Sequence, residues 1–423
     1  MDDKRHHLST IGKSCAPNQI KALVTPFAAV EDVVVMAQGA PPPEVFPITG
    51  ISIDLADGSR VRISNPATLS SMQQYQYAAS GYTPLITWCT NFSSKHHRLT
   101  DNWSLALHAG STDAIAKLAE VLADPGDTIL TEAYTWSTPL DGMRAHAILL
   151  DGVDVDNDGM IPSSLKHKCE HVRVQGGRVK ALYIVPNGSN PCGTTLAPER
   201  YAAIYQICRD HGVVIIEDDP YWWLSLDKEA ALPGPSTSFA SIDTEGIVIR
   251  VDSFAKAIAP GFRLGWLTGA PELVHAFNAV SSTSTHNGSP FAMAALHEIL
   301  VHWGEEGLNS HIASTRSEYR RRMHVMLAAV ESRLKGLAHW TPPKAGMFLF
   351  LDLSPSGVTD STTLMDKLRE HRVLTIPSKV FSPVGRASPH MRVSFSMATD
   401  EDMGKGIARL AALLEDCRVH RAA

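Results

Sequence analysis

The sequence lacks the features that mark secreted, membrane-spanning and metal-binding proteins. Its six cysteines include no C-x-x-C pair, so neither a disulfide framework nor a zinc site is indicated, and we expect no bound metal. No run approaches the roughly 18 consecutive apolar residues of a membrane span. The polar start, MDDKRHHLST, lacks the apolar segment of a signal peptide. We therefore expect a cytoplasmic protein with reduced thiols and no membrane partner.

The chain also lacks a strong excess of either charge. Lys and Arg total 38, Asp and Glu total 44, and the formal net charge of -6 is spread along the sequence. This distribution argues against nucleic acid as a partner. With 423 residues, 44% of them hydrophobic, the chain can bury a substantial core, and its length favours one large domain with a smaller one.

Short apolar runs alternate with amphipathic runs between about residues 100 and 270, which predicts an α/β fold whose mostly parallel sheet is sandwiched by helices. After about residue 300 the pattern changes to long helices and a few strands, which predicts a smaller α+β C-terminal domain. The predicted domains are an N-terminal arm associated with the small domain (1–50), a large domain (51–310) and the small domain (311–423). The predicted strands of the large domain are 104–108, 128–132, 147–152, 181–186, 213–218, 246–251 and 264–269.

Four loops after predicted strands are rich in polar residues, and ligands of an open parallel sheet bind beyond the carboxyl ends of its strands. In the first loop, Gly110, Ser111 and Thr112 begin a helical run, where free N–H groups and the positive end of the helix dipole suit a phosphate. Serine and threonine are also ordinary helix N-caps, so that alternative stays open. The second loop, 187–193, is dense in Asn, Gly and Pro and is equally typical of a tight turn.

The third loop begins with Asp218 and Asp219 at the end of an apolar strand. Two carboxylates there would need partners, unless the loop is solvated. The fourth loop places Lys256 among small and apolar residues, surroundings that lower an amine pKa and favour a Schiff base. Ser253, Lys256, a Gly-containing turn and Arg263 fall within eleven residues, which distinguishes this lysine from an ordinary surface lysine.

Together these segments resemble the fold-type I aminotransferases (class I/II) that use pyridoxal 5'-phosphate (PLP), in particular the aromatic, kynurenine and 2-aminoadipate group. The resemblance covers nearly the whole chain, and nine segments occur in the family's order. They are QGAPPPEVFP (38–47), QYAASGYTPL (76–85), HAGSTDAI (108–115), DPGDTILTEAYTWS (124–137), PNGSNPCG (186–193), EDDPY (217–221), SFAKAIAPGFRLGW (253–266), AGMFLF (345–350) and MRVSFS (391–396).

The resemblance implies that Lys256 forms the internal aldimine with PLP and moves a proton between the substrate Cα and C4' of the cofactor. Asp218 would pair with the pyridine nitrogen, and Asn190 and Tyr221 would hydrogen-bond the phenolate oxygen. The other implied PLP contacts are Gly110, Ser111, Thr112, Ser253 and Arg263 at the phosphate, Trp136 stacked on the ring, and Tyr77 reaching the phosphate from the other subunit of a homodimer.

The resemblance also implies the substrate contacts. Arg392 would bind the α-carboxylate, assisted by Asn190 and the backbone at Gly39, and Phe348 would line the side-chain pocket. Lys21 falls where related enzymes carry an arginine on a mobile N-terminal helix, so it is a candidate partner for an acidic side chain. An ordinary solvated lysine is the equal alternative.

Four positions depart from the family pattern. Trp136 stands for the usual tyrosine, Ala255 for a serine, Ser189 for a glutamine and Cys192 for a threonine. We expect PLP binding to survive these changes, whereas they leave the substrate open.

The predicted function is the transfer of an amino group from an aromatic or long-chain amino acid to a 2-oxo acid such as 2-oxoglutarate by a ping-pong mechanism. A PLP-dependent decarboxylase, lyase or substitution enzyme would share every cofactor contact, because the bond that breaks depends on substrate geometry. A ligand-sensing regulator is a further alternative, but the family pattern begins by about residue 20 and leaves no room for a helix-turn-helix segment.

Overall fold

The computed structural model describes residues 4–14, 23–24, 26–27, 30–34, 36–37, 39–75, 80–99, 102–226, 237–286 and 288–422. In chain order the strands are β1 (Ile51–Asp54), β2 (Arg60–Ile63), β3 (Ser104–His108), β4 (Thr128–Glu132), β5 (Leu149–Val153), β6 (Val155–Asp156), β7 (Gly159–Met160), β8 (Val179–Ile184), β9 (Val214–Asp218), β10 (Val248–Ser253), β11 (Gly265–Gly269), β12 (Phe348–Asp352), β13 (Ile376–Pro377) and β14 (His390–Ser394). The α-helices are α1 (Thr10–Ser14), α2 (Pro66–Gln73), α3 (Thr83–His96), α4 (Ser111–Leu122), α5 (Ser137–Ala145), α6 (Pro162–Val174), α7 (Pro198–His211), α8 (Pro271–Ser282), α9 (Pro290–Leu334, interrupted at Gly304), α10 (Met365–Glu370) and α11 (Asp400–Ala422).

One compact unit comprises Met1–Asp124 and Gly234–Ser310. Three of its strands are hydrogen-bonded in the order β3-β11-β10, and β11 runs antiparallel to both neighbours. All six residues of β10 are buried. Buried Trp266 donates its indole N–H to Ser93 Oγ at 2.9 Å, which fixes α3 against this sheet.

The other compact unit comprises Pro125–Pro233 and His311–Ala423. Four parallel strands are ordered β5-β4-β8-β9, and every residue of β4 and β9 is buried, as expected for strands covered on both faces. Helix α7 between β8 and β9 is followed by Gly212, whose left-handed φ of 66° caps the C-terminus of the helix. A separate antiparallel sheet of order β12-β14-β13 follows in the C-terminal part.

The predicted α/β class with a mostly parallel sheet is confirmed, and every predicted strand of the large domain is present with ends shifted by at most two residues. The shift of β10 has a physical cause. The carboxylate of Asp243 accepts the N–H groups of Ile247 and Val248 at 3.2 and 3.0 Å, so these groups are held by a loop side chain and the strand begins only at Val248. In the part of the chain that the structure describes, no helix is long and apolar enough to cross a membrane.

The division into an arm, a large domain and a small domain stays a prediction. One boundary between the compact units, after Ser310, coincides with the predicted start of the small domain. The described beginning of the arm makes contacts inside the first unit, where the Ser9 N–H donates to Val121 O at 2.8 Å.

A buried acid ends β4. Glu132 is only 3% exposed, and its Oε2 accepts the N–H of Val185 at 3.1 Å and the hydroxyl of Ser189 at 3.4 Å. Loss of solvation raises the pKa of Glu132 to about 8 despite these two hydrogen bonds. The carboxyl group is therefore protonated in the folded protein at neutral pH, whereas it is ionised in the unfolded chain.

The variant Glu132→Gln tests this protonation state through stability. Because the folded pKa lies above the unfolded value of 4.5, the stability that the neutral acid contributes is complete below that value and is lost as the pH rises through about 8. The free energy of unfolding of the wild type, relative to Glu132→Gln, should fall by roughly a few kcal/mol over this range and then level off. Denaturant unfolding across the range measures it, and a difference that does not change with pH would contradict a neutral Glu132.

Candidate active site

The N-terminus of α4 forms a cradle with the shape and charge for a phosphate. Gly110 has a φ of 97°, a conformation that favours glycine, and a Cβ there would lie 2.4 Å from Arg263 Nη2, so the guanidinium group would have to move away. Ser111 Oγ is a buried oxygen without a hydrogen-bond partner among the described residues. The N–H groups of Ser111 and Thr112 lie in the first helical turn, where no acceptor exists within the helix. These donors and the guanidinium group fit the phosphate of PLP.

Lys256 follows β10 in a single helical turn, which is closed by the Ile258 N–H donating to Phe254 O at 2.8 Å. At the end of β10, buried Ser253 accepts the Ala255 N–H on its Oγ at 3.1 Å. The loop ends at Arg263, which is exposed and adopts a left-handed backbone conformation with a φ of 52°. Lys256, Ser253 and the cradle thus belong to one compact unit.

Beneath the lysine loop lies a charge pair that the sequence analysis missed. Arg250 and Asp252 are both fully buried, and the guanidinium group donates from Nε and Nη2 to the carboxylate at 2.9 to 3.2 Å. His97 Nε2 lies 3.5 Å from Asp252 Oδ1, and burial, with the nearby Arg250 charge, lowers the pKa of His97 well below its usual range. The signal was present as alternate residues on one face of β10, since two opposite charges in an apolar strand require each other.

In the second unit the two carboxylates after β9 have different partners. Asp218, 1% exposed, accepts the hydroxyl of fully buried Tyr183 at 2.9 Å. Burial and the Asp218 charge raise the pKa of Tyr183 well above its usual range, so it remains a donor. Asp219 accepts the side-chain amide of Asn187 on both oxygens, at 3.1 and 2.9 Å. Asp219 therefore holds the 187–193 turn.

That turn packs closely against the C-terminal part of the same unit. Gly188 has a φ of 53°, and a Cβ there would lie 2.5 Å from the carbonyl carbon of Ala345, so the turn requires glycine. Asn190 Oδ1 accepts Arg392 Nη1 at 2.7 Å. The loop is thus a tight turn that also carries a predicted site residue.

Arg392 lies between two aromatic rings. Its guanidinium carbon is 4.4 Å from the ring centroid of Phe348 and 4.8 Å from that of Phe381, contacts that favour the cation. Its Nε is buried and has no hydrogen-bond partner among the described residues. The arrangement restrains the plane of the guanidinium group, which is what bidentate binding of a carboxylate requires. Phe381 was missed because the sequence gives no sign that its loop approaches β14.

The remaining predicted residues fall into three groups. Tyr221 is buried, makes an edge-to-face contact with Phe348, and burial raises its pKa. Trp136 is half-buried at the start of α5, and Gly39 is exposed. Lys21 and Tyr77 lie outside the described residues.

Comparisons with known proteins agree with this description. Residues 68–410 match the model of the family "Aminotransferase class I and II". The mitochondrial kynurenine/alpha-aminoadipate aminotransferase of Rattus norvegicus is 33% identical over 92% of this chain and 93% of its own length. The L-tyrosine:2-oxoglutarate aminotransferase atrD of Tapinella panuoides is 27% identical over 98% and 96%. The crystal structure of aminotransferase Aro8 from Candida albicans superposes with a TM-score of 0.89 at 23% identity, covering 99% of both chains.

The match to the family model covers most of the chain, and the rat relative is similar over nearly its whole length. The relationship therefore extends over the whole fold and does not rest on one short motif. The neighbouring crystal structure shows that the fold is the same. The cradle at α4 also fits the phosphate of the family's cofactor. The chain therefore belongs to the class I and II aminotransferases and is a PLP-dependent enzyme that transfers an amino group from an amino acid to a 2-oxo acid.

Proposed function

We propose that Lys256 carries PLP and transfers the substrate proton. The observation that carries this proposal is the presence of Lys256, beyond the end of β10, in the same compact unit as the phosphate cradle of Gly110, Ser111 and Arg263. PLP supplies a ring that accepts the electron pair left when a bond to the substrate Cα breaks. Once the substrate amine has taken its place on PLP, the freed amine of Lys256 would hold the proton removed from Cα and deliver it to C4'.

Asp218 is the proposed partner of the pyridine nitrogen. Tyr183 fixes the orientation of Asp218 through a hydrogen bond to Oδ2, and Asp219 holds Asn187 of the 187–193 turn. A carboxylate held in this way would favour a protonated pyridine nitrogen, and that positive nitrogen would stabilise the negative charge that enters the ring. Asn190 and Tyr221 are the proposed partners of the phenolate oxygen, and Trp136 the proposed stacking residue.

Arg392 is the proposed ligand of the α-carboxylate that amino-acid and oxo-acid substrates share. Asn190 and the rings of Phe348 and Phe381 support this role because they hold the guanidinium group in one plane. Phe348 would also contact the substrate side chain, and the backbone at Gly39 would assist at the carboxylate.

The proposed donor is an aromatic or long-chain amino acid, and the proposed acceptor is 2-oxoglutarate. The names of the rat and Tapinella relatives, which mention kynurenine, alpha-aminoadipate, tyrosine and 2-oxoglutarate, support both. The aromatic side chains of Phe348 and Trp136 suit a ring or a long apolar chain.

We further propose a homodimer, with Tyr77 reaching the phosphate of the other subunit. The support is the resemblance of the segments around Tyr77 and 284–290 to family segments that cross the subunit boundary. We also propose a cytoplasmic location, although the name of the rat relative places that protein in mitochondria.

The variant Lys256→Ala tests the cofactor assignment. We expect loss of the visible absorbance of the holoenzyme and a fall in turnover on the order of 10³-fold or more, because the proton-transfer group is removed. Lys168→Ala is the matched control, since Lys168 pairs with Asp151 on the outer strand β5, and it should retain both properties. Borohydride reduction and peptide mapping should place the pyridoxyl group on Lys256, and a label on another lysine would refute the assignment.

The pair Asp218→Asn and Asp219→Asn tests the pyridine partner. For Asp218→Asn we expect kcat to fall on the order of 10²-fold with a much smaller change in PLP affinity, because the carboxylate acts mainly as charge enters the ring. Asp219→Asn should retain most of kcat. The reverse ranking in steady-state kinetics would assign the role to Asp219.

Lys21→Ala tests how the enzyme accepts an acidic substrate. If Lys21 binds the distal carboxylate, the KM for 2-oxoglutarate should rise several-fold while the KM for the aromatic donor stays unchanged, as expected for loss of one point charge. Kinetics with each substrate varied in turn measure this. Equal effects on both substrates, or none, would leave Lys21 as an ordinary surface lysine.

A further inference from the structure

We propose that His108 is a positioning residue of the phosphate cradle, in which its Nδ1 accepts the N–H of Gly110 and holds the glycine conformation that turns the start of α4 toward the phosphate. The inference rests on the proposed cradle and extends it to a side chain that does not itself contact PLP.

The first support is the hydrogen bond. His108 is the last residue of β3 and only 1% exposed, and the Gly110 N–H donates to its Nδ1 at 3.1 Å. Gly110 has a φ of 97° and precedes the first residue of α4. Because its N–H is engaged by the imidazole, the backbone donors that remain for the phosphate are those of the first helical turn, beginning with Ser111.

The second support is the packing that fixes the imidazole ring. His108 pairs with Gly265 in the β3–β11 ladder, and a Cβ at position 265 would lie 2.3 Å from His108 Cε1. The ring therefore occupies space that only glycine leaves open on the neighbouring strand. A ring held in this way cannot rotate freely, so its Nδ1 remains directed at Gly110.

The third support is the protonation state. Nδ1 can accept a hydrogen bond only when the ring is neutral and its proton lies on Nε2, which is buried and makes no hydrogen bond among the described residues. Burial lowers the pKa of His108 to about 4; the charge of Asp113 acts in the opposite direction, and that of Lys117 adds a smaller lowering. The accepting form is therefore present throughout the neutral range.

The guanidinium group of Arg263 also lies against Gly110. His108 and Arg263 thus both approach the same glycine. Loss of the His108 acceptor would leave the Gly110 N–H buried without a partner, so the backbone would rotate to find one and the first turn of α4 would move with it.

Two substitutions separate the acceptor from the bulk of the side chain. In His108→Asn the amide oxygen stands on Cγ, as Nδ1 does, so it can accept the Gly110 N–H. In His108→Gln the amide is one bond further away, and this acceptor is lost although a polar, uncharged side chain remains. His108→Leu serves as a second variant without an acceptor, should His108→Gln not fold.

The measurement is the dissociation constant of the full-length protein, freed of resident cofactor, for PLP and for pyridoxal, which lacks the phosphate. We expect His108→Gln to weaken the binding of PLP about tenfold, which is the effect of losing one hydrogen bond, and to change the binding of pyridoxal little. His108→Asn should bind both like the wild type. This split would not arise if His108 only supported the fold.

Equal weakening of PLP and pyridoxal in His108→Gln, or unchanged PLP binding, would overturn the proposal. The proposed cradle itself has a separate test in the same titration. If the wild type binds PLP no more tightly than pyridoxal, the cradle assignment fails, and the role of His108 fails with it.

Discussion

The cost of burying carboxylates at the ends of strands governs both halves of this molecule. Glu132, Asp218 and Asp252 are each at most 3% exposed, and an isolated charge in such surroundings would destabilise the fold. Each is accommodated differently. Glu132 keeps its proton, Asp218 accepts a tyrosine hydroxyl, and Asp252 takes the guanidinium group of Arg250. These partners determine which of the carboxyl groups are negatively charged, and therefore which can pair with a positive group of the cofactor.

Much of the fold could be predicted from the sequence because it is encoded locally. The runs TILTE and ALYIVP identify buried strands, and the glycine at 212 marks the end of a helix. The glycine-led start of α4 and the lysine loop could also be recognised, since each is a short continuous segment after a strand. The contacts that orient the candidate site residues could not be predicted in this way. Tyr183 reaches Asp218 from 35 residues away and Arg392 reaches Asn190 from 202 residues away, so they depend on strand order and register, which no local pattern contains.

The departures from the family pattern have physical consequences that the structure makes visible. Ser189 donates to the neutral acid Glu132, so the short side chain joins the turn to β4. Ala255 has no hydroxyl, but its N–H is engaged by Ser253 Oγ. The lysine loop therefore keeps its internal order while one side-chain contact is lost.

The backbone of Arg263 links activity to heat resistance. A residue with a side chain in the left-handed region costs on the order of 1 kcal/mol relative to glycine. Selection for thermal tolerance alone would therefore favour glycine or asparagine at this position, whereas selection for the proposed phosphate contact would keep the guanidinium group. Variants recovered under the two regimes should differ at this position, because a strained main chain and the proposed phosphate-binding charge belong to the same residue.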